Sequence, residues 1–385
     1  MNDLAPTSAG ATGPGGGTQH HSLGTLPQDR IVRKEVALGT IREYEPPQEH
    51  IGLRQIAPWE SVESDDAIFD YTAGLVAGLA PARAEDAESE LAQKDEMVGY
   101  GRAAVIDWAL KDHYRVSDVT RYREALLLRE NAGALSLPLT VNSMLEGFQS
   151  KIARDERIRR RKLDNRIEWL IMQSLEHGEI VYNDGKIQFT VDWGRPASQV
   201  ITVDVLWSAS NADPIGDILA LQEHAQDTYG VTLDRAACSQ KVINNVLNSD
   251  KFTNQLTGSN PLYTVDGWGT EAARNVVERA TGVRFQPYDA VYRTRPIGSQ
   301  TITNHRFLSN NKIIFLPSQA DVEALDDTIG FAKTLTSPHP EGNWSSGYYE
   351  WERDTVDPWS HDRGTGVKAF PVFPHMELTY VLNVL

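Results

Sequence analysis

From about Pro138 to Glu176 the apolar residues recur at helical spacing: Leu145, Phe148, Ile152, Leu163, Ile167, Leu170, Ile171 and Leu175, with Gly178 as the stop. At 1.5 Å per residue such a helix spans roughly 55–60 Å. That is long for the interior of an enzyme domain and natural for a spine on which other elements are laid. Its middle is dense in charge. Arg154, Arg157, Arg159, Arg160, Arg161, Lys162 and Arg166 are interleaved with Asp155, Glu156, Asp164 and Glu168. Three readings stand: a nucleic-acid surface, a salt-bridged helix face, or a face that meets an acidic segment of another chain. No aromatic residues alternate with the bases, which weakens the first.

Beyond Gly178 an alternating strand, Ile187 to Trp193, is stopped by Gly194-Arg195-Pro196. Trp207 follows, and then Asp213-Pro214-Ile215-Gly216-Asp217-Ile218 opens a helix that runs to Tyr229 and closes at Gly230. Asp213 suits an N-cap and Pro214 the first helical position. Asp192 suits a turn, where its carboxylate accepts a local hydrogen bond. Trp193 and Trp207, at a strand end and before a helix, are expected to pack.

The rest of the chain organises around these segments. Residues 1–25 are a low-complexity tail carrying His20-His21, and residues 26–63 are an extended, proline-punctuated arm. Residues 64–116 suggest a two-stranded excursion, outward through Ala67–Thr72 and back through Val105–Trp108. Between them, Ala82–Glu96 carries two bases against six acids. A shorter helix is expected from Ser117 to about Gly133. Further helices are expected at Gln240–Phe252, capped by Ser239, and at Glu271–Ala280, capped by Thr270. A buried strand covers Lys312–Pro317, and after the Asn343-Trp344 segment the chain ends as a strand from Ala369.

Enzymatic signatures are scarce. The sequence holds no phosphate loop, dinucleotide fingerprint, zinc helix or nucleophile elbow. Cys238 is the single cysteine, so an intrachain disulfide is impossible and a thiol nucleophile lacks a named base. Asp354, Asp357, His361 and Asp362 form the one cluster that suggests a divalent metal, against a plain exposed acidic loop. Asp192 and Asp213 read as paired acids only if their capping roles are set aside. No cofactor is expected. With 53 acidic against 37 basic residues the formal charge is −16, which argues against a dominant DNA-binding face. Mean hydropathy is −0.41 and no run approaches the length of a membrane helix, so a soluble protein made in the cytosol is expected.

The order of a long helix, a strand ending in Val191-Asp192-Trp193-Gly194-Arg195, Trp207, and then Asp213-Pro214-x-x-Asp217-Ile218 resembles the lambda-type major capsid protein E family of tailed phages. The resemblance implies an α+β chain of the Hong Kong 97-type capsid fold. In that frame 26–63 looks like the N-terminal arm, 64–116 the E-loop, 117–205 with 366–385 the P-domain, and 206–365 the A-domain. It implies a shell protein rather than an enzyme, self-assembled in hexamers and pentamers around DNA that it does not read. Separate scaffolding, portal and decoration proteins would be its partners, no membrane is involved, and the virion is its location. By the same resemblance, the acidic tip of the excursion (Glu85, Asp86, Glu88, Glu90) is expected on a neighbour's Arg157, Arg160 and Arg161. A cellular nanocompartment shell and a metal-dependent hydrolase are the alternatives.

Overall fold

The computed structural model describes residues 45–64, 66–72, 98–115, 117, 120, 139–185, 187–251, 270–295, 300–325, 330–357 and 359–385. The low-complexity tail, the first half of the proline-punctuated arm (26–44), the acidic 82–96 stretch and nearly all of the helix expected from Ser117 lie outside these residues.

The first described segment makes one wide helical turn, Gly52–Ile56, before a short strand, β1 (Trp59–Ser61). The excursion follows as an antiparallel ribbon of β2 (Asp66–Thr72) and β3 (Val98–Ala104), with Asp66 opposite Ala104 and Thr72 opposite Val98. The returning strand is therefore not Val105–Trp108, as the sequence suggests. Val105 and Ile106 are a joint, and Asp107–Arg115 is a strand of its own, β4. The reason is long-range: Trp108 is buried and donates from Nε1 to the carbonyl of Ala369 (3.0 Å). No local pattern reports a partner so distant in sequence.

The long helix, α1, runs from Leu139 to His177. Gly178 ends it in the left-handed region (φ +77), where a side chain is strained. A hairpin of β5 (Glu179–Asn183) and β6 (Gln188–Asp192) follows, then β7 (Val200–Thr202). Three helices frame the next strand: α2 (Pro214–Tyr229), β8 (Leu233–Cys238), α3 (Gln240–Leu247) and α4 (Thr270–Thr281). α3 stops short of the expected Phe252, because beyond its Asn248 cap the backbone N–H of Asp250 turns away to the carbonyl of Ser210 (3.1 Å).

The C-terminal part comprises β9 (Arg284–Pro287), a ribbon of β10 (Val291–Thr294) and β11 (Thr303–Arg306), then β12 (Lys312–Pro317) and α5 (Gln319–Leu325). It continues through β13 (Lys333–Thr336), a small excursion of β14 (Pro338–His339) and β15 (Ser345–Ser346), the long hairpin β16 (Tyr348–Val356) and β17 (Trp359–Val372), and β18 (Tyr380–Asn383). The supposed acidic loop at 354–362 is thus a β-hairpin, with Asp354 opposite His361. The expected domain boundary at 365/366 falls inside one unbroken strand, β17.

Two sheets organise the molecule. One has the order β7-β18-β12-β8-β9 and is buried on both faces. Ile313, Phe315, Tyr380 and Leu382 face a core built with α2, α3 and α4, while Ile314, Leu316 and Val381 face the C-terminal half of α1. Burial on both faces is why Lys312–Pro317 reads as a continuous apolar run rather than an alternation. In the other sheet β17 runs between β16 and β4 and then pairs with β13, which continues to β1. Gly364 and Gly366 of β17 lie under the rings of Trp351 and Tyr349, which occupy the space a Cβ would need.

The middle of α1 meets this second sheet largely through charged side chains. Glu156, Arg159, Arg160, Asp164 and Glu168 are all buried. Arg363 of β17, fully buried, reaches Glu350 of β16 (3.0 Å) and Glu156 of α1 (3.2 Å). Arg159 donates from Nε to Thr365 Oγ1 (3.0 Å) and from Nη1 to Asp112 of β4. Arg160 lies over the Tyr348 ring, 3.2 Å from its centre, and bonds Asp164 (3.0 Å). Burial holds Glu156, Asp164 and Glu350 above the usual carboxylate range, an effect larger than the pull of their arginines. Removing one member of such a network strands another charge without water, at a cost of about 3–5 kcal/mol.

Glu168 ends this series. Its carboxylate accepts the backbone N–H groups of Gly52 (3.0 Å) and Leu53 (2.8 Å) and the hydroxyl of Tyr288 (2.7 Å). It thereby joins the start of the described chain, the long helix and the loop after β9. Burial pushes its carboxyl up to about 7.

Two predictions follow from this packing. Gly366→Ala drives a methyl group into the buried Tyr349 ring and lowers stability by about 1–3 kcal/mol or more, read from chemical unfolding. Because Glu168 is raised above its unfolded value of 4.5 to about 7, the stability it contributes is complete below about pH 4.5 and is lost as pH rises through 7. The loss amounts to roughly 3 kcal/mol. Glu168→Gln should therefore gain stability relative to wild type between pH 5 and pH 8. A constant difference across that window would mean that Glu168 stays ionised throughout.

Candidate subunit interface

The Asp192–Arg195 run locks the C-terminal end of α1. Asp192 accepts the N–H of Gly194 (2.9 Å), forming a tight turn that Gly194 completes at φ +76. Trp193 donates its backbone N–H to the carbonyl of Gly178 (3.0 Å) and its indole N–H to Ser174 Oγ (2.9 Å). Its ring packs against Phe370 and Phe373. Arg195 donates to the carbonyls of Leu175 (2.7 Å) and Glu176 (3.0 Å), two of the acceptors that a helix end leaves open. Burial brings the Arg195 guanidinium down to about 10, so it stays charged at neutral pH, where its sign suits the negative end of the helix dipole.

The second signature segment closes the other core. Trp207 is buried, and its indole N–H donates to Asp217 Oδ2 (2.8 Å). Asp213 caps α2 by accepting the N–H of Gly216 (3.1 Å) and pairs with Lys251 (2.7 Å), with Pro214 at the first helical position. Asp213 is held below the usual carboxylate range by Lys251, while burial raises Asp217. Asp192 and Asp213 each serve a local backbone turn rather than forming a pair of acids.

The exposed side of α1 has a different character. Gly147, Ser150, Lys151, Arg154, Arg157, Ile158 and Arg161 follow one another at spacings of three and four and line an open groove of ≈ 670 Å³. Arg157, Ile158 and Arg161 are exposed. Arg160 is not: it is buried against Tyr348 and Asp164 within its own subunit. Its expected role on a neighbour's acidic segment is therefore withdrawn, for the helix turns it by 100° from Arg161 onto the inner face. Glu85, Asp86, Glu88 and Glu90 lie outside the described residues.

Chemistry at the 354–362 hairpin is committed elsewhere. His361 pairs with Asp354 (2.7 Å), and Asp362 with Lys111 (2.9 Å) and His113 (2.7 Å). Among the described residues no group of three or more His, Cys, Asp or Glu is gathered to hold a metal ion. Cys238 is buried and its thiol is pushed up by burial, away from the thiolate a nucleophile needs. No described helix is long and apolar enough to cross a membrane. Sequence reasoning did not find the Glu168 clamp or the Arg363–Glu350–Glu156 network. Their one sequence signal is carboxylates and arginines on the apolar face of α1, which a charge count reads as surface.

Comparison with known proteins agrees with this architecture. The family described as phage major capsid protein E matches residues 42–329. A crystal structure of a phage-related protein from Bordetella bronchiseptica RB50 aligns over 92% of this chain and 97% of its own, at 12% identity and a TM-score of 0.51. The mature capsid of bacteriophage PhiM1 aligns over 85% of each chain, at 10% identity and a TM-score of 0.40. The SrpI encapsulin of Synechococcus elongatus PCC 7942 aligns over 89% and 91%, at 12% identity and 0.40. No curated protein sequence matches the chain. The family match spans most of the sequence, and the mixed helix-and-sheet fold is shared with the Bordetella protein. This chain therefore belongs to the phage major capsid protein E family, and it is a shell-forming capsid protein.

Proposed function

We propose that one copy of this chain after another builds a closed icosahedral shell around the double-stranded DNA of a tailed phage, filling both hexamer and pentamer positions. Family membership over residues 42–329 carries this reading. The ribbon of β2 and β3 supports it, because an isolated two-stranded ribbon is marginal in water and gains by lying on another subunit. In this frame β2, β3 and the sequence between them are the extended loop. α1 with β4, β16 and β17 forms the peripheral domain, and the sheet around β12 with α2, α3 and α4 forms the axial domain. Many modest contacts repeated over a closed shell add up without any tight pair.

The groove on α1 takes the acidic tip of a neighbour's loop, Glu85, Asp86, Glu88 and Glu90, against Arg157 and Arg161. Exposed pairs are worth at most ~1 kcal/mol each, so they set register more than they hold the shell. Separate scaffolding, portal and decoration proteins complete assembly in the bacterial cytoplasm. The net charge of −16 suits a wall that holds DNA without binding it in sequence-specific fashion, and the protein performs no catalytic step.

Negative-stain electron microscopy of the chain, expressed alone and with its neighbouring genes, tests the reading. Shells, tubes or capsomers of five and six subunits are expected. A monodisperse monomer or dimer under both conditions overturns it, and shells filled with protein cargo in place of DNA would move the chain to the nanocompartments. Replacing the four tip acids with lysine should impair assembly, and adding Arg157→Glu with Arg161→Glu should restore it. Absence of rescue would remove the pairing while leaving the shell.

A further inference from the structure

Trp344 is the one aromatic residue among the described large hydrophobic side chains that is left exposed, at 73%. It sits on the excursion Pro338–Ser346, which leaves the second sheet between β13 and its edge strand β16. Both Asn343 and Trp344 have left-handed backbones, at φ +56 and +57. Asparagine tolerates that region, whereas a bulky residue there is an outlier, and such outliers gather at functional sites.

The excursion is bolted down at its base. The His339 ring stacks on Tyr349 at 3.8 Å and 9°, and accepts the N–H of Glu341 (3.1 Å). The His339 carbonyl accepts the N–H of Trp344 itself (3.1 Å). Tyr349 is buried and donates its hydroxyl to Asp107 of β4 (2.5 Å). The N–H of Gly347 is held by Thr336 Oγ1 (2.9 Å). A large ring is thus presented to solvent on a fixed stalk, with its ordering cost already met.

We infer that Trp344 is an anchor that inserts into a second copy of this chain in the shell. The inference rests on the shell-forming reading. The place of the excursion selects the partner: a wall one subunit thick meets copies of itself through the edges of its sheets, and Trp344 stands at such an edge. Trp is also the residue type whose burial dominates contacts of this kind. The inserted ring returns to the assembly what the left-handed backbone withholds from the free subunit.

The test compares wild type, Trp344→Ala and Trp344→Gly by sedimentation and electron microscopy across protein concentration, with thermal unfolding of the unassembled chains. Both variants should raise the concentration needed for assembly by about thirtyfold, as for loss of a buried anchor. The unfolding midpoint should be unchanged in Trp344→Ala and raised in Trp344→Gly, where the left-handed backbone is free of strain. Assembly of both variants at the wild-type concentration overturns the proposal, including the case in which their shells fail to hold an accessory protein. A lowered midpoint in Trp344→Ala also overturns it, since the ring would then serve its own subunit. Failure of wild type to assemble under any condition sinks the shell reading itself, and this proposal with it.

Discussion

The structure depends on how one long helix is held on both of its flanks. Over its middle turns α1 presents carboxylates and guanidinia to the sheet of β4, β16 and β17. Toward its C-terminus it presents Ile167, Leu170, Ile171 and Leu175 to the apolar core. Ion pairs removed from water cost desolvation that their mutual attraction only partly returns, so they are poor glue and good registers. Arg363 can meet Glu156 and Glu350 together in one arrangement of helix on sheet. The hydrocarbon contacts supply the stability and the charged ones fix the alignment.

The C-terminal part of the helix is tied to other segments of the chain. Arg195 and Trp193 hold the last turns from behind, and Glu168 draws in the Gly52–Ile56 turn and Tyr288. A subunit that must repeat in a shell needs its edges in constant relation to its core. These ties give the sheet edges, the basic groove of α1 and the Trp344 stalk one shared frame. The Glu168 carboxylate, poised near neutrality by burial, makes part of that frame sensitive to proton concentration.

Much of this was legible beforehand where the cause is local. The spine helix, the caps at Asp213 and Ser239, the stops at Gly178 and Gly230, and the turn made by Asp192 and Gly194 follow from spacing and from backbone preferences within a few residues. Errors arose where the cause is distant. Val105–Trp108 looks like the return of a ribbon, yet Trp108 is claimed by Ala369. The 354–362 segment looks like an acidic loop because its charges are visible in sequence and their partners, Lys111 and His113, are not.

The sequence by itself determined the spine helix and its length, the capped helices and the family resemblance, because helical period, capping chemistry and a chain of aromatic and acidic residues are read along one dimension. Only the tertiary structure decided which charges are surface. Arg157 and Arg161 face outward while Arg159 and Arg160 between them are buried, although all four look alike in the sequence. The physical reason is that a charge is admitted to the interior only where partners from other strands stand ready, and those partners, Glu350, Thr365, Asp112 and Tyr348, come together through folding alone.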